Sequence, residues 1–137
     1  MTNKNILQLI SGALMFLSFF SAWYYNGGFT YLKPAEFISA EGFNEPPPLV
    51  FKLFLLLPVL GVVNAYYGII KKYHYILSIG SSIICLLLCV SMWRYVEKFH
   101  DQVSSGFYMA GLALLVSAAS IFIMKKEIKE KNISSNG

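Results

Sequence analysis

The segment LVFKLFLLLPVLGVVNAYYGII, residues 49–70, is apolar around nearly the whole circumference of any helix it forms. Its one charge, Lys52, lies near an end, where a lysine stem can carry its ammonium to a headgroup. A bilayer core of about 30 Å needs roughly 20 such residues in a helix. Three further runs of the same character accompany it: Ile6–Tyr25, Tyr75–Val96 and Phe107–Met124. A chain of 137 residues cannot bury four such helices on all sides. The fold expected is therefore all-α: a four-helix transmembrane bundle in a single integral membrane domain, residues 1–137, with a polar tail from 125 to 137.

Composition agrees. Hydrophobic residues make up 56% of the chain and charged residues 13%, against about 25% charged in an average soluble domain. The few charges cluster at the ends of the runs, with Arg94 able to snorkel as Lys52 does. The net charge of +4 comes from short basic clusters beside these runs, so no nucleic-acid partner is implied. The first run begins after Lys4 and ends in Trp23-Tyr24-Tyr25, an aromatic cluster suited to a membrane interface. It is longer than the apolar core of a signal peptide, so it is expected to be retained as a span.

With four spans both termini share one side. That side holds Lys4, Lys71, Lys72, Lys125, Lys126, Lys129 and Lys131, against Lys33, Lys52, Arg94 and Lys98 on the other. Basic residues in short loops favour the cytoplasm, which places both termini there. The largest connection, Asn26 to Pro48, opens on Asn26-Gly27-Gly28 and closes on Pro46-Pro47-Pro48. Within it, Pro34 to Glu41 followed by Gly42 carries the start and stop residues of a short helix. We expect an interfacial helix with Phe37 and Ile38 packed down; an ordered loop is the alternative. The tight turn Lys71 to His74 makes the second and third spans antiparallel neighbours. Residues 125–131 can extend the fourth span, and 132–137 should fray.

Candidate sites are few. Asn64 is the most notable polar residue in the runs, and its amide needs partners. Serines of the other spans can supply them as interhelical glue; a ligand or ion site is the alternative. Gly61 and Ala65 form a small-xxx-small pair beside it, and Pro58 removes a backbone donor and should bend the helix. Small residues also line the first run at Ser11, Gly12 and Ser18, the third at Gly80-Ser81-Ser82, and the fourth at Gly106, Ala110, Ala113 and Ser117. Cys85 and Cys89 stand one helical turn apart, but with no further ligand they read as packing rather than as a metal site. Glu97 and His100 have Glu-x-x-His spacing without the extra carboxylates of a metal-binding bundle. No nucleophile elbow, phosphate loop or zinc motif occurs, so no cofactor is expected. The aromatics Trp23, Tyr24, Tyr31, Phe37 and Phe43 form either an interface belt or an outer platform for a partner.

The chain resembles small bacterial four-span integral membrane proteins of uncharacterised activity. The matching pieces are Phe19-Phe20-Ser21-Ala22-Trp23, the loop Gly27–Phe43, and Gly106-Phe107-Tyr108-Met109-Ala110-Gly111. That resemblance implies a four-helix fold and residence in a bacterial inner (plasma) membrane, and implies no activity. The leading functional expectation is a non-enzymatic component that binds a membrane-protein partner or assembles as a homo-oligomer within the lipid bilayer. A small-molecule carrier or channel subunit is the alternative, and an enzyme using Cys85 and Cys89 or His100 and Asp101 ranks last.

Overall fold

The computed structural model describes residues 2–26, 30–39 and 48–135. Five α-helices account for most of them: α1 (Asn3–Phe20), α2 (Pro34–Ser39), α3 (Leu56–Ile69), α4 (Tyr75–Phe99) and α5 (Ser105–Ser135). A 3-10 helix, Leu49–Leu55, runs directly into α3. Three short strands, β1 (Tyr24–Asn26), β2 (Thr30–Leu32) and β3 (Gln102–Val103), form an antiparallel sheet of order β2-β1-β3.

Among the described residues, three helical stretches are long and apolar enough to cross a membrane: Leu49–Ile69, Tyr75–Phe99 and Ser105–Glu130. The first run departs from expectation. Helix α1 ends at Phe20 instead of Tyr25, and its 18 residues reach only about 27 Å. Its opening turns carry Asn3, Lys4, Asn5 and Gln8, which lower its apolarity. Trp23 to Tyr25 leave the helix because their backbone pairs elsewhere. Trp23 N–H donates to Leu32 O at 2.9 Å, and Ser104 N–H donates to Trp23 O at 2.9 Å. The all-α expectation thus misses a small sheet that binds the loop after α1 to the α4–α5 connection. Helix α5 runs unbroken through Ser135, past the position where fraying was expected.

Pro58 sits in the first turn of α3, just after the 3-10 segment, rather than in mid-helix. First-turn N–H groups have no acceptor within an α-helix, so a missing donor costs little there. The change of helix type takes the place of the expected interior bend.

Buried positions repeat in steps of three and four along each long helix. They are Leu57, Gly61, Asn64 and Gly68 on α3, and Ser78, Ser81, Cys85, Leu88, Met92 and Val96 on α4. On α5 they are Gly106, Ala110, Ala113, Ser117 and Ser120, and on α1 Asn5, Gln8, Gly12 and Met15 lead the same pattern. These steps give each long helix one buried face, and where the faces meet they form a seam. Helix α1 packs on both α3 and α5, and α5 packs on α4. Helices α3 and α4, joined by a tight turn, touch each other far less than α3 touches α1. The neighbour expected for α3 is therefore mostly replaced by α1. The cause is glycine: a Cβ at Gly12 would stand 2.5 Å from Ala65 N and 2.6 Å from Gly61 O, so these two backbones approach in a way no larger residue permits.

The first and last helices meet at the end that carries both chain termini, where Lys4 pairs with Glu127. We call this the terminal end, and the opposite one the sheet end.

Candidate functional site

Asn64 is the centre of a polar group in the terminal half of the seam. Its carbonyl accepts from Gln8 Nε2 at 3.2 Å. Its amide donates to Ser81 Oγ at 2.7 Å and to Leu60 O at 2.9 Å. Gln8 Oε1 in turn accepts from the His74 backbone N–H at 3.2 Å. One amide thus ties α3 to α1 and α4, and Gln8 ties α1 to the turn that precedes α4. Helix α5 joins through hydroxyls: Ser11 Oγ donates to Ala113 O and Ser117 Oγ to Ser78 O, each at 3.1 Å. Tyr73 and Ser120 hydroxyls meet at 3.1 Å. The serine partner expected for Asn64 is Ser81. Gln8 and Asn5 were not anticipated, although their three-residue spacing, followed by Gly12 and Met15, marks one face of α1.

Two oxygens in this layer have no protein partner, Asn5 Oδ1 and Ser78 Oγ, and both residues are buried. Buried polar atoms without a partner cost free energy unless water or a ligand meets them. The layer offers neutral donors and acceptors only. It can hold an uncharged polar group.

The expected grouping of Asn64 with Pro58, Gly61 and Ala65 divides. Gly61 shares the buried face of Asn64 but packs on Gly12 and Phe16, and Ala65 meets Gly12 through its backbone. Pro58 lies toward the 3-10 segment, outside the polar group. Cys85 is fully buried in the seam and Cys89 half-buried beside it, with no disulfide between them. Among the described residues, no group of three or more His, Cys, Asp and Glu side chains converges. Glu97 accepts from Trp93 Nε1 at 2.9 Å, and His100 closes α4 in the left-handed region at φ 55°, so that pair ends a helix. His74 caps α4, its Nδ1 accepting from Leu77 N–H at 3.3 Å.

The sheet end is built of rings. Trp23 is fully buried, edge-on to Phe54 at 4.6 Å, with its indole N–H on Ser18 O at 2.8 Å. Phe37, from α2, sits against Phe51 at 5.1 Å, Tyr24 at 5.9 Å and Tyr95 at 6.0 Å. Tyr24 donates its hydroxyl to Asp101. Burial first, and then that bond, hold its phenol well above the ordinary value. The outer platform is corrected accordingly: Trp23, Tyr24 and Phe37 are core, because rings facing water at a loop gain most by stacking together. Tyr31 is exposed at 60%, and Phe43 lies outside the described residues. Helix α2 forms where expected, with Phe37 buried and Ile38 packed on the core.

No family model, curated protein or solved structure matches this chain. Function must therefore be argued from these contacts alone.

Proposed function

We propose that the protein is an integral membrane component, a four-span bundle with both termini cytoplasmic. It acts without catalysis by holding a membrane-protein partner or further copies of itself. Inverted polarity supports the membrane part. The seam buries Asn5, Gln8, Asn64 and six serines of the helices, while Leu49, Ile76 and Phe122 are 78%, 75% and 70% exposed. Water would reverse that arrangement, whereas lipid tolerates it. The first helix, about 27 Å long, packs on α3 and α5 with Asn5 and Gln8 turned inward, so it needs less apolarity of its own. Residence in a bacterial inner membrane rests on the likeness to small bacterial four-span proteins.

Two glycines carry the partner reading. Gly12, Gly61, Gly68 and Gly106 each stand where an added Cβ would strike a neighbour, but Gly80 and Gly111 have nothing within 4 Å. Glycine inside a helix costs about 1 kcal/mol relative to alanine. Packing within this chain gives no return for it at these two sites, whereas the close approach of another helix does. Affinity capture from native membranes tests the reading. Gly80→Leu and Gly111→Leu should leave the fold intact and reduce recovery of a stable partner or oligomer. A wild-type protein recovered only as a lone monomer defeats it. A reporter fused to either terminus should be cytoplasmic.

The second reading is a small-molecule carrier or channel subunit. It is favoured by the two partnerless oxygens of Asn5 and Ser78 in the seam. Flux into proteoliposomes that does not differ among wild type, Asn64→Leu and empty vesicles would remove it.

A further inference from the structure

A groove of about 340 Å³ runs between α1 and α3 on the outside of the bundle. Ala13, Phe16, Val62, Ala65, Tyr66 and Ile69 line it, together with the buried glycines 12 and 61. Apart from the Tyr66 phenol its side chains are apolar. The groove owes its depth to the close glycine contact, which leaves no side chain to fill the crevice. It starts near the middle of both helices and reaches Ile69, the last residue of α3. Lys71 and Lys72, two and three residues beyond, are both exposed. Among the described residues no acidic side chain pairs with either, and the sequence from Tyr66 to Ile76 contains no acidic residue. Lys4, at the same end, is already engaged with Glu127.

An apolar trough whose last lining residue is followed closely in the chain by two exposed lysines is complementary to one kind of molecule. We propose that this groove holds an acyl chain of an anionic phospholipid whose headgroup phosphate is bound by Lys71 and Lys72. A second copy of the chain fits less well. In a two-fold contact across the groove it would bring its own Lys71 and Lys72 against the same pair, and like charges would repel. A zwitterionic lipid supplies the chain and the phosphate, but carries a cation of its own to the lysines. The inference rests on the membrane reading above, since in water a groove of this composition would have no lipid to accept.

Native mass spectrometry of the full chain, released from detergent with dioleoyl phosphatidylglycerol or dioleoyl phosphatidylcholine added, tests it. The wild type should retain the anionic lipid preferentially. Lys71→Asn with Lys72→Gln removes both charges, and asparagine suits the left-handed backbone of Lys71, at φ 59°. Anionic-lipid affinity should fall about thirtyfold, at about fivefold per lysine. Lys125→Gln with Lys129→Gln removes the same charge from exposed positions at the same end of α5, and should change affinity less than threefold. Ala13→Phe fills the groove from an exposed position and should weaken retention of both lipids. Equal losses in the two lysine pairs would reduce the effect to general surface charge and overturn the site. So would full retention by Ala13→Phe, or a disulfide-linked dimer formed through Ala13→Cys in the membrane. Alkaline extraction separates the two levels of failure. A wild type released into the soluble fraction defeats the membrane reading itself, while an inserted protein indifferent to these substitutions defeats only the lipid site.

Discussion

The two ends of the bundle are held together by different means. At the terminal end the seam is narrow and polar, with Gln8, Asn64 and Ser81 linked by hydrogen bonds and helices spaced by glycine and serine. At the sheet end it is aromatic, with Trp23, Phe37, Phe51, Phe54 and Tyr95 in contact, mostly edge to face. Each suits the solvent that competes with it. In lipid, burial of an apolar side chain gains little over its contact with acyl tails, so close packing and polar contacts must hold helices together. On the membrane reading proposed above, the loops and strands outside the long helices meet water, so ring burial and the hydrophobic effect hold that end. The terminal half should therefore be sensitive to shape and tolerant of losing single polar groups, while the sheet end should be sensitive to loss of area.

Trp23→Ala is the largest test of that contrast. It empties a fully buried site, leaves Ser18 O with only the Ser21 N–H and exposes the faces of Phe54 and Phe107. We expect a loss of about 3–5 kcal/mol, measured by reversible unfolding in mixed micelles. Because the strands pair through this residue's backbone, protease sensitivity should rise first in the loops joining the sheet. A loss under about 1 kcal/mol would mean that lipid, not water, surrounds this cluster.

The next test is at the other end. Gly12→Ala places a methyl group 2.5 Å from Ala65 N and 2.6 Å from Gly61 O, against backbone that cannot rotate away. We expect overpacking of about 1–3 kcal/mol, with α1 displaced from α3. Gly80→Ala, where the space is open, should instead be neutral or slightly stabilising in the isolated protein. If Gly12 and Gly80 behave alike, the close approach of α1 and α3 is not what holds this end.

These tests fall unevenly on what the sequence made legible. Long apolar runs announced the helices, because lipid-facing surfaces need apolar residues all round and leave little ambiguity of period. Segment ends were less legible. Trp23-Tyr24-Tyr25 looked like the end of a span, and only pairing with nearby Leu32 and with Val103, far along the chain, turns Tyr24 and Tyr25 into a strand. Asn64 could be picked out because one amide in an apolar run must find partners. Its partner Gln8 could not be assigned, since which helix packs on α3 depends on Gly12 meeting Gly61 and not on chain order. The aromatic platform failed for a related reason: composition locates rings at an interface but does not say whether they face outward or one another.

Tyr24 gives a smaller effect with a defined pH signature. Its phenol is raised above the ordinary value, near 10, by burial and by its bond to Asp101. Above that pH the unfolded phenol releases its proton while the folded one keeps it. The folded state then binds more protons, so stability falls as pH rises, by up to about 1.4 kcal/mol per unit from this group. Below the ordinary value the group contributes no slope. Tyr24→Phe should lose about 1 kcal/mol near neutrality, through the missing hydrogen bond, and should show a shallower alkaline decline than the wild type. Identical alkaline slopes in the two proteins would place Tyr24 in contact with water.

Asn64→Leu should have the smallest effect, and it separates a packing role from a binding one. The substitution removes the acceptor of Gln8 Nε2 and the donor to Ser81, yet Gln8 keeps its bond from the His74 N–H and the leucine fills similar space. Interhelical polar contacts in membranes are worth about 0.6 kcal/mol on average and about 1.7 at most, far below the Trp23 cost. Part of even that loss is the orphaned Gln8 amide. Gln8→Leu combined with Asn64→Leu removes that orphan but also the acceptor of the His74 N–H, so the double variant should differ from Asn64→Leu alone by no more than about 1 kcal/mol. If the polar layer is glue, both variants stay folded, and partner capture changes only as stability does. If it receives a polar solute through Asn5 and Ser78, Asn64→Leu should abolish flux while leaving stability within that small range, and the comparison between the two ends becomes one between a scaffold and a site.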